Sequence, residues 1–265
     1  MLTTRAAGLS TMAFPRHCVL SLIPKTASLT GSPRMTKIYH ETFDKGPGGW
    51  YGFDSNFAGD KPLELEQGCV SSRSPWWIDY NHAPPGAGYM HLLFMLDTQR
   101  APSERHRAIA GENGFIEQGV GTNFIDSTLT LRLKGELLAQ ETELLLLCQA
   151  VHDDLCSGWL LTGQPFTVTN DWSESTVQAC LDADQWTCLG SRHDRTATYG
   201  HRPLETVLAD VNTNILLVLF PLEISPMGPL DGDPHTLRPE EDYPVWRSRL
   251  PEGYVTLDDV RIEFP

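Results

Sequence analysis

A chain of 265 residues with 40% hydrophobic side chains is long enough to bury one large core. Its longest apolar runs, 144–148 and 215–221, fall far short of the roughly 20 residues that cross a bilayer, so membrane insertion is not expected. The formal charge is −14, and removing the four cations of the acid-free first 34 residues (Arg5, Arg16, Lys25, Arg34) leaves −18 on residues 35–265, which argues against nucleic acid and anionic membrane surfaces as partners.

Residues 1–34 are rich in Ser and Thr, carry Arg and lack acids, a composition like that of a mitochondrial transit peptide. Alternatively Met35 is the start and the preceding residues are an upstream extension. Either origin predicts a disordered tail, with a single domain over 35–265. From there the sequence reads as strands. Candidates lie at 37–43, 63–71, 88–96, 127–133, 143–151, 158–161, 166–169, 176–183, 214–221 and 254–264. Alternation places Leu129, Leu131 and Leu133 on one face and Thr128, Thr130, Arg132 and Lys134 on the other; Val260, Ile262 and Phe264 likewise point inward, with Arg261 and Glu263 outward. The apolar run 144–147 predicts a central strand buried on both sides, with a helix as the alternative. One or two short helices are expected, at 203–210 (Leu204, Val207 and Leu208 on one face) and within 99–114. Turn-forming clusters at 45–49, 231–234 and 251–253 punctuate the strands. The pattern predicts an all-β fold, a two-sheet antiparallel β-sandwich with the first and last strands side by side.

Six cysteines are present. Cys18 lies in the tail, and the remaining five (Cys69, Cys148, Cys156, Cys180, Cys188) include no Cys-x-x-Cys pair. That argues against a zinc site and a complete disulfide set. Reduced, mostly buried thiols are the expectation, which favours a cytoplasmic setting; a Cys180–Cys188 bridge across a hairpin is the alternative.

Two ends of the body carry a resemblance. Phe43-Asp44-Lys45-Gly46-Pro47-Gly48-Gly49-Trp50 and Gly253-Tyr254-Val255-Thr256-Leu257-Asp258-Asp259-Val260-Arg261-Ile262 resemble the opening and closing strands of β-jelly-roll carbohydrate-binding modules and concanavalin-like glycan-processing domains. Trp172-Ser173-Glu174-Ser175-Thr176-Val177-Gln178-Ala179-Cys180-Leu181-Asp182, followed by Trp186, is similar to a strand pair of laminin-G-like sandwiches. The resemblance implies a jelly roll and an oligo- or polysaccharide partner. It also implies that a structural calcium could sit where Asp44 and Asp259 meet on neighbouring terminal strands, near Glu41; the alternative is strand-end acids without a metal or any other cofactor.

The densest side-chain chemistry lies at 74–91. Trp76, Trp77 and Tyr80 are read as a platform for a sugar ring, and Asp79, Asn81, His82 and His91 as its polar contacts, carried on a loop stiffened by Pro84 and Pro85. Adjacent strand residues face opposite sides, so at least one indole belongs to the core. A second polar patch, Arg192, His193, Asp194 and Arg195 with Tyr199 and His201, supplies Arg forks for carboxylate or hydroxyl groups. The acidic stretch 231–253, with Tyr243 and Trp246, reads as a long binding loop or a solvated one. Glycan binding is the first functional expectation. The second is a polysaccharide lyase, with Arg107 neutralising a uronate carboxylate, His82 as base and Tyr80 as acid. The same scaffold is also compatible with a hydrolase, although no same-face pair of carboxylates at the spacing of a retaining glycosidase, about 5 Å, is evident. A protein-interaction sandwich is the third. No phosphate loop, dinucleotide fingerprint, nucleophile elbow or zinc helix occurs.

Overall fold

The computed structural model describes residues 36–55, 59–79, 89–99, 102–189, 200–222 and 250–265. In chain order the elements open with β1 (Lys37–Glu41), β2 (Trp50–Ser55), β3 (Gly59–Lys61), β4 (Glu64–Glu66), β5 (Cys69–Arg73), β6 (Ile78–Asp79) and β7 (Tyr89–Asp97). Helices α1 (Glu104–Ala110) and α2 (Gly114–Gln118) precede β8 (Thr128–Leu138), β9 (Glu143–His152), β10 (Leu155–Leu160) and β11 (Ser173–Gln178). The chain closes with β12 (Thr187–Cys188), α3 (Leu204–Ala209), β13 (Asn214–Leu222) and β14 (Glu252–Phe264).

These strands form two antiparallel sheets. One has six strands in the order β11-β8-β14-β5-β4, with β1 also on β14; the other has eight in the order β12-β10-β9-β13-β7-β2-β3, with β6 also on β7. The all-β sandwich expected from alternation is therefore present, and the first and last strands pair along Lys37–Phe264 to Glu41–Val260. Among the described residues no helix is long and apolar enough to cross a membrane.

The inward residues of β8 and β14 meet the inner face of the eight-stranded sheet in one core, which holds Tyr39, Trp50, Phe94, Leu131, Leu146 and Ile262. The Trp50 indole N–H donates to the Tyr39 hydroxyl at 2.9 Å, so the two large rings are buried with their polar atoms paired. A second apolar cluster covers the opposite face of the eight-stranded sheet through Met90, Leu92, Leu145, Leu147, Leu216 and Val218. Residues 144–147 divide alternately between the two clusters, which is why the run is continuously apolar and why it is a strand.

Several boundaries differ from expectation. The predicted strand 63–71 is a hairpin, turned where Gln67 and Gly68 take φ of 52° and 74°. Segment 99–114 holds the expected short helix, α1, and a second, α2, follows it after Gly111 (φ 70°); the side chains of Ser103 and Asn113 cap the two starts. The predicted strand 166–169 retains only a bridge from Phe166 to Leu144.

Open strand edges are closed by side-chain carboxamides. Gln118 accepts from the His40 main-chain N–H and donates to its carbonyl, both at 3.2 Å. Gln164 does the same for Gln178 (2.9 and 3.1 Å) and Asn212 for Val151 (2.8 and 3.1 Å). Each amide stands in for one residue of a missing strand and satisfies main-chain groups that would otherwise invite another chain to pair.

Candidate functional site

The expected aromatic platform is a structural corner. Ser74–Trp77 carries the chain from β5 in one sheet to β6 in the other. Two packed sheets lie about 10 Å apart, and a crossing segment passes over the open end of the space between them, where large rings exclude water. Trp76 is 4% exposed, Trp77 8%, Asp79 2% and His91 1%. The Trp76 indole N–H donates to Ser72 Oγ at 2.9 Å. The His91 ring lies 5.8 Å from that of Trp76 and uses Nδ1 to donate to the Trp77 carbonyl at 2.9 Å. Burial lowers its pKa to about 4, against the opposing effect of that hydrogen bond, so the ring is neutral at neutral pH, and Nε2 has no hydrogen-bond partner among the described residues. Trp76, Trp77, Asp79 and His91 thus offer no open face for a sugar. Tyr80, Asn81, His82, Arg192, His193, Asp194, Arg195, Tyr199, Tyr243 and Trp246 lie outside the described residues, as does the tail 1–34.

Of the residues assigned to the lyase reading, only Arg107 lies among the described residues. Arg107 is exposed on α1 and pairs with Glu112 at 3.3 Å. Its neighbour His106 lies between two carboxylates, with Nε2 2.7 Å from Asp60 and Nδ1 3.0 Å from Asp97. Tyr51 donates its hydroxyl to the second oxygen of Asp97 at 3.0 Å and lies 4.7 Å from the imidazole. Burial raises the Asp97 pKa, and the Tyr51 and His106 contacts work against that rise. A catalytic base needs one nitrogen facing substrate. Both nitrogens of His106 are engaged by the protein, so this residue pins α1 and β3 to β7. Replacing His106 by alanine removes the imidazole that Asp60 and Asp97 share and is expected to lower stability by about 2 kcal/mol, with faster hydrogen exchange confined to α1 and the β2–β3 hairpin. An unchanged denaturation midpoint would show the cluster to be idle.

Cys69, Cys148, Cys156, Cys180 and Cys188 are thiols outside any disulfide, without the Cys180–Cys188 bridge. Burial pushes the Cys148 thiol up and that of Cys156 to about 11, so neither is a thiolate nucleophile near neutral pH.

Each of the two calcium carboxylates is engaged by a side chain of the protein. A β-bulge between Leu257 and Asp259 breaks the alternation of β14, so Asp258 and Asp259 both lie outside the core, between inward Leu257 and Val260. Asp259 is bonded to His40 at 2.5 Å, Asp258 to Arg132, and Asp44 to the Thr42 hydroxyl at 2.9 Å. Among the described residues no three potential metal ligands converge.

The outer face of the six-stranded sheet combines aromatic and polar chemistry in a way the sequence reading did not assign. Trp172 and Tyr254 are both half-buried there. Arg132 Cζ lies 4.9 Å and Lys134 Nζ 4.6 Å from the Trp172 ring centre, and Arg73 Cζ lies 4.7 Å from that of Tyr254. The register explains the assembly. Ser173 pairs with Leu133, which brings Trp172 level with Lys134; Lys134 pairs with Thr256, and Thr256 with Ser71. The Ser71 and Thr256 hydroxyls bond to each other at 2.7 Å and floor the face beside the two rings. Two strand spacings and a two-residue offset separate Trp172 from Tyr254 by roughly 12 Å, the reach of an oligosaccharide rather than a monosaccharide. Tyr254 was hidden from the sequence, since strict alternation back from inward Val260 turns Thr256 and Tyr254 inward, and only the bulge between Leu257 and Asp259 turns them out. Compared with known proteins, the chain matches no family model, no curated protein and no solved structure.

Proposed function

We propose that this protein binds glycans through the outer face of its six-stranded sheet, with Trp172 and Tyr254 as the stacking residues. The observation that supports this reading is the pair of half-buried rings, Trp172 with Arg132 and Lys134 over it and Tyr254 with Arg73 over it, on a sheet face otherwise lined by Thr, Ser and charged groups. A sugar ring has an apolar face for the aromatic and hydroxyls for the polar rim, so such a surface satisfies both halves of the ligand. Binding without turnover is favoured by the described acid–base groups. His106 has no nitrogen left for a substrate, His91 is sealed in the core, and the most buried thiols are held protonated.

Affinity electrophoresis through gels containing soluble polysaccharides, followed by titration with oligosaccharides, tests this. Trp172→Ala is expected to weaken the retained glycan tenfold or more, the loss of one stacked ring, with an unchanged denaturation midpoint because the side chain is half-exposed. Retention that survives in both Trp172→Ala and Tyr254→Ala would remove this face from consideration.

A further inference from the structure

We infer that the sugar bound against Trp172 is a uronate, recognised through its carboxylate by Lys134 with Arg132 alongside; this rests on the glycan reading above. The inference comes from how charge is distributed on the outer sheet face, where Lys134 and Arg132 make a local cationic point on a body whose net charge of −18 otherwise repels polyanions. Most of its cations are already matched within the protein: Arg132 pairs with Asp258, Arg73 with Glu64 at 3.5 Å and Arg261 with Glu263 at 2.9 Å. Lys134 is different. It forms no ion pair among the described residues, not even with Glu136 two positions along the same strand, and its ammonium lies 4.6 Å from the centre of the Trp172 ring.

That position suits a carboxylated pyranose. A ring stacked on an indole keeps its hydroxymethyl or carboxylate substituent at the edge of the stack. The Lys134 ammonium lies over the indole, so a sugar stacked there takes its place, and a carboxylate at the edge of the stack gives the displaced ammonium a partner, whereas the hydroxymethyl group of a neutral hexose leaves its charge unmatched. Arg132, on the same strand and the same side, adds a second positive group close to the same ring. Its guanidinium is already engaged with Asp258, so Lys134 is the side chain free to change partner. The charge-assisted contact is stronger than one between neutral groups and weakens as salt rises.

The test compares two polymers of one linkage, polygalacturonate and its carboxyl-reduced, neutral form, against wild type, Lys134→Gln, Lys134→Arg and Trp172→Ala. Expected are binding of polygalacturonate that weakens with added salt, loss of about tenfold in Lys134→Gln, recovery in Lys134→Arg, and weak binding of the neutral polymer that is indifferent to position 134. Equal binding of both polymers, unaffected by Lys134→Gln but lost in Trp172→Ala, would overturn the uronate assignment and leave the glycan reading standing. Failure of the wild type to bind either polymer, or any neutral glycan on an array, would overturn both. Lys134 is a half-exposed strand residue, so its substitutions are compatible with the fold, and matching denaturation midpoints verify that the variants are native.

Discussion

Replacing Trp76 by alanine is expected to lower the free energy of unfolding by about 3 to 5 kcal/mol, the range for emptying a buried aromatic site. The indole is 4% exposed and plugs the end of the sandwich where the chain changes sheets. Its removal opens a cavity against His91, deletes the 2.9 Å bond to Ser72 and leaves that hydroxyl buried without its donor. Trp76→Phe keeps most of the ring and loses the bond, so a smaller loss of about 1 to 2 kcal/mol is expected. Urea denaturation reads both variants as a lower midpoint at unchanged slope. The experiment separates two roles for the residue. A docking platform predicts a normal midpoint with lost ligand, whereas a plug predicts the reverse; a midpoint equivalent to less than about 1 kcal/mol of destabilisation would return Trp76 to the surface.

The second large effect is a dependence of stability on acid through His91. In the unfolded chain this imidazole titrates near 6.5; in the native corner burial holds it near 4. Between those values the unfolded chain takes up a proton that the native protein refuses. Stability is therefore complete above about pH 6.5 and falls as the pH drops towards 4. The interval corresponds to about 3 kcal/mol at about 1.4 kcal/mol per pH unit. His91→Leu removes the titrating group at similar volume. Subtracting the variant's stability from that of the wild type at each pH cancels other contributors, including Asp97, whose raised pKa acts in the opposite sense. The difference is expected to shift by about 3 kcal/mol against the wild type between pH 7 and pH 4. A difference that stays flat across that range would mean that the ring is solvated or already paired when charged.

The sandwich was legible wherever alternation governs burial. Leu129, Leu131 and Leu133, and again Val260, Ile262 and Phe264, are core residues, and the unbroken run 144–147 announced a strand with an apolar layer on each side. The corner was not legible, because Trp76 and Trp77 next to turn-forming residues look the same whether the segment projects outward or passes between sheets. Only the pairing of β5 with β14 and of β6 with β7 decides that. Asp258 and Asp259 misled for a local reason, since a rule of period two fails at a bulge. Trp172 was read only as part of a strand pair and not as a site residue, because its cationic neighbours, Arg132 and Lys134, are some forty residues away in sequence and arrive only through the β8–β11 pairing.

The three amide-closed edges carry a vulnerability of their own. Hydrolysis of a carboxamide to an acid exchanges its N–H donor for an oxygen. At Gln118, Gln164 or Asn212 that oxygen would face the carbonyl of His40, Gln178 or Val151, turning a hydrogen bond into repulsion. Deamidation during storage would thus unseal a strand while adding one negative charge, and aged protein would expose main-chain groups able to recruit a second molecule.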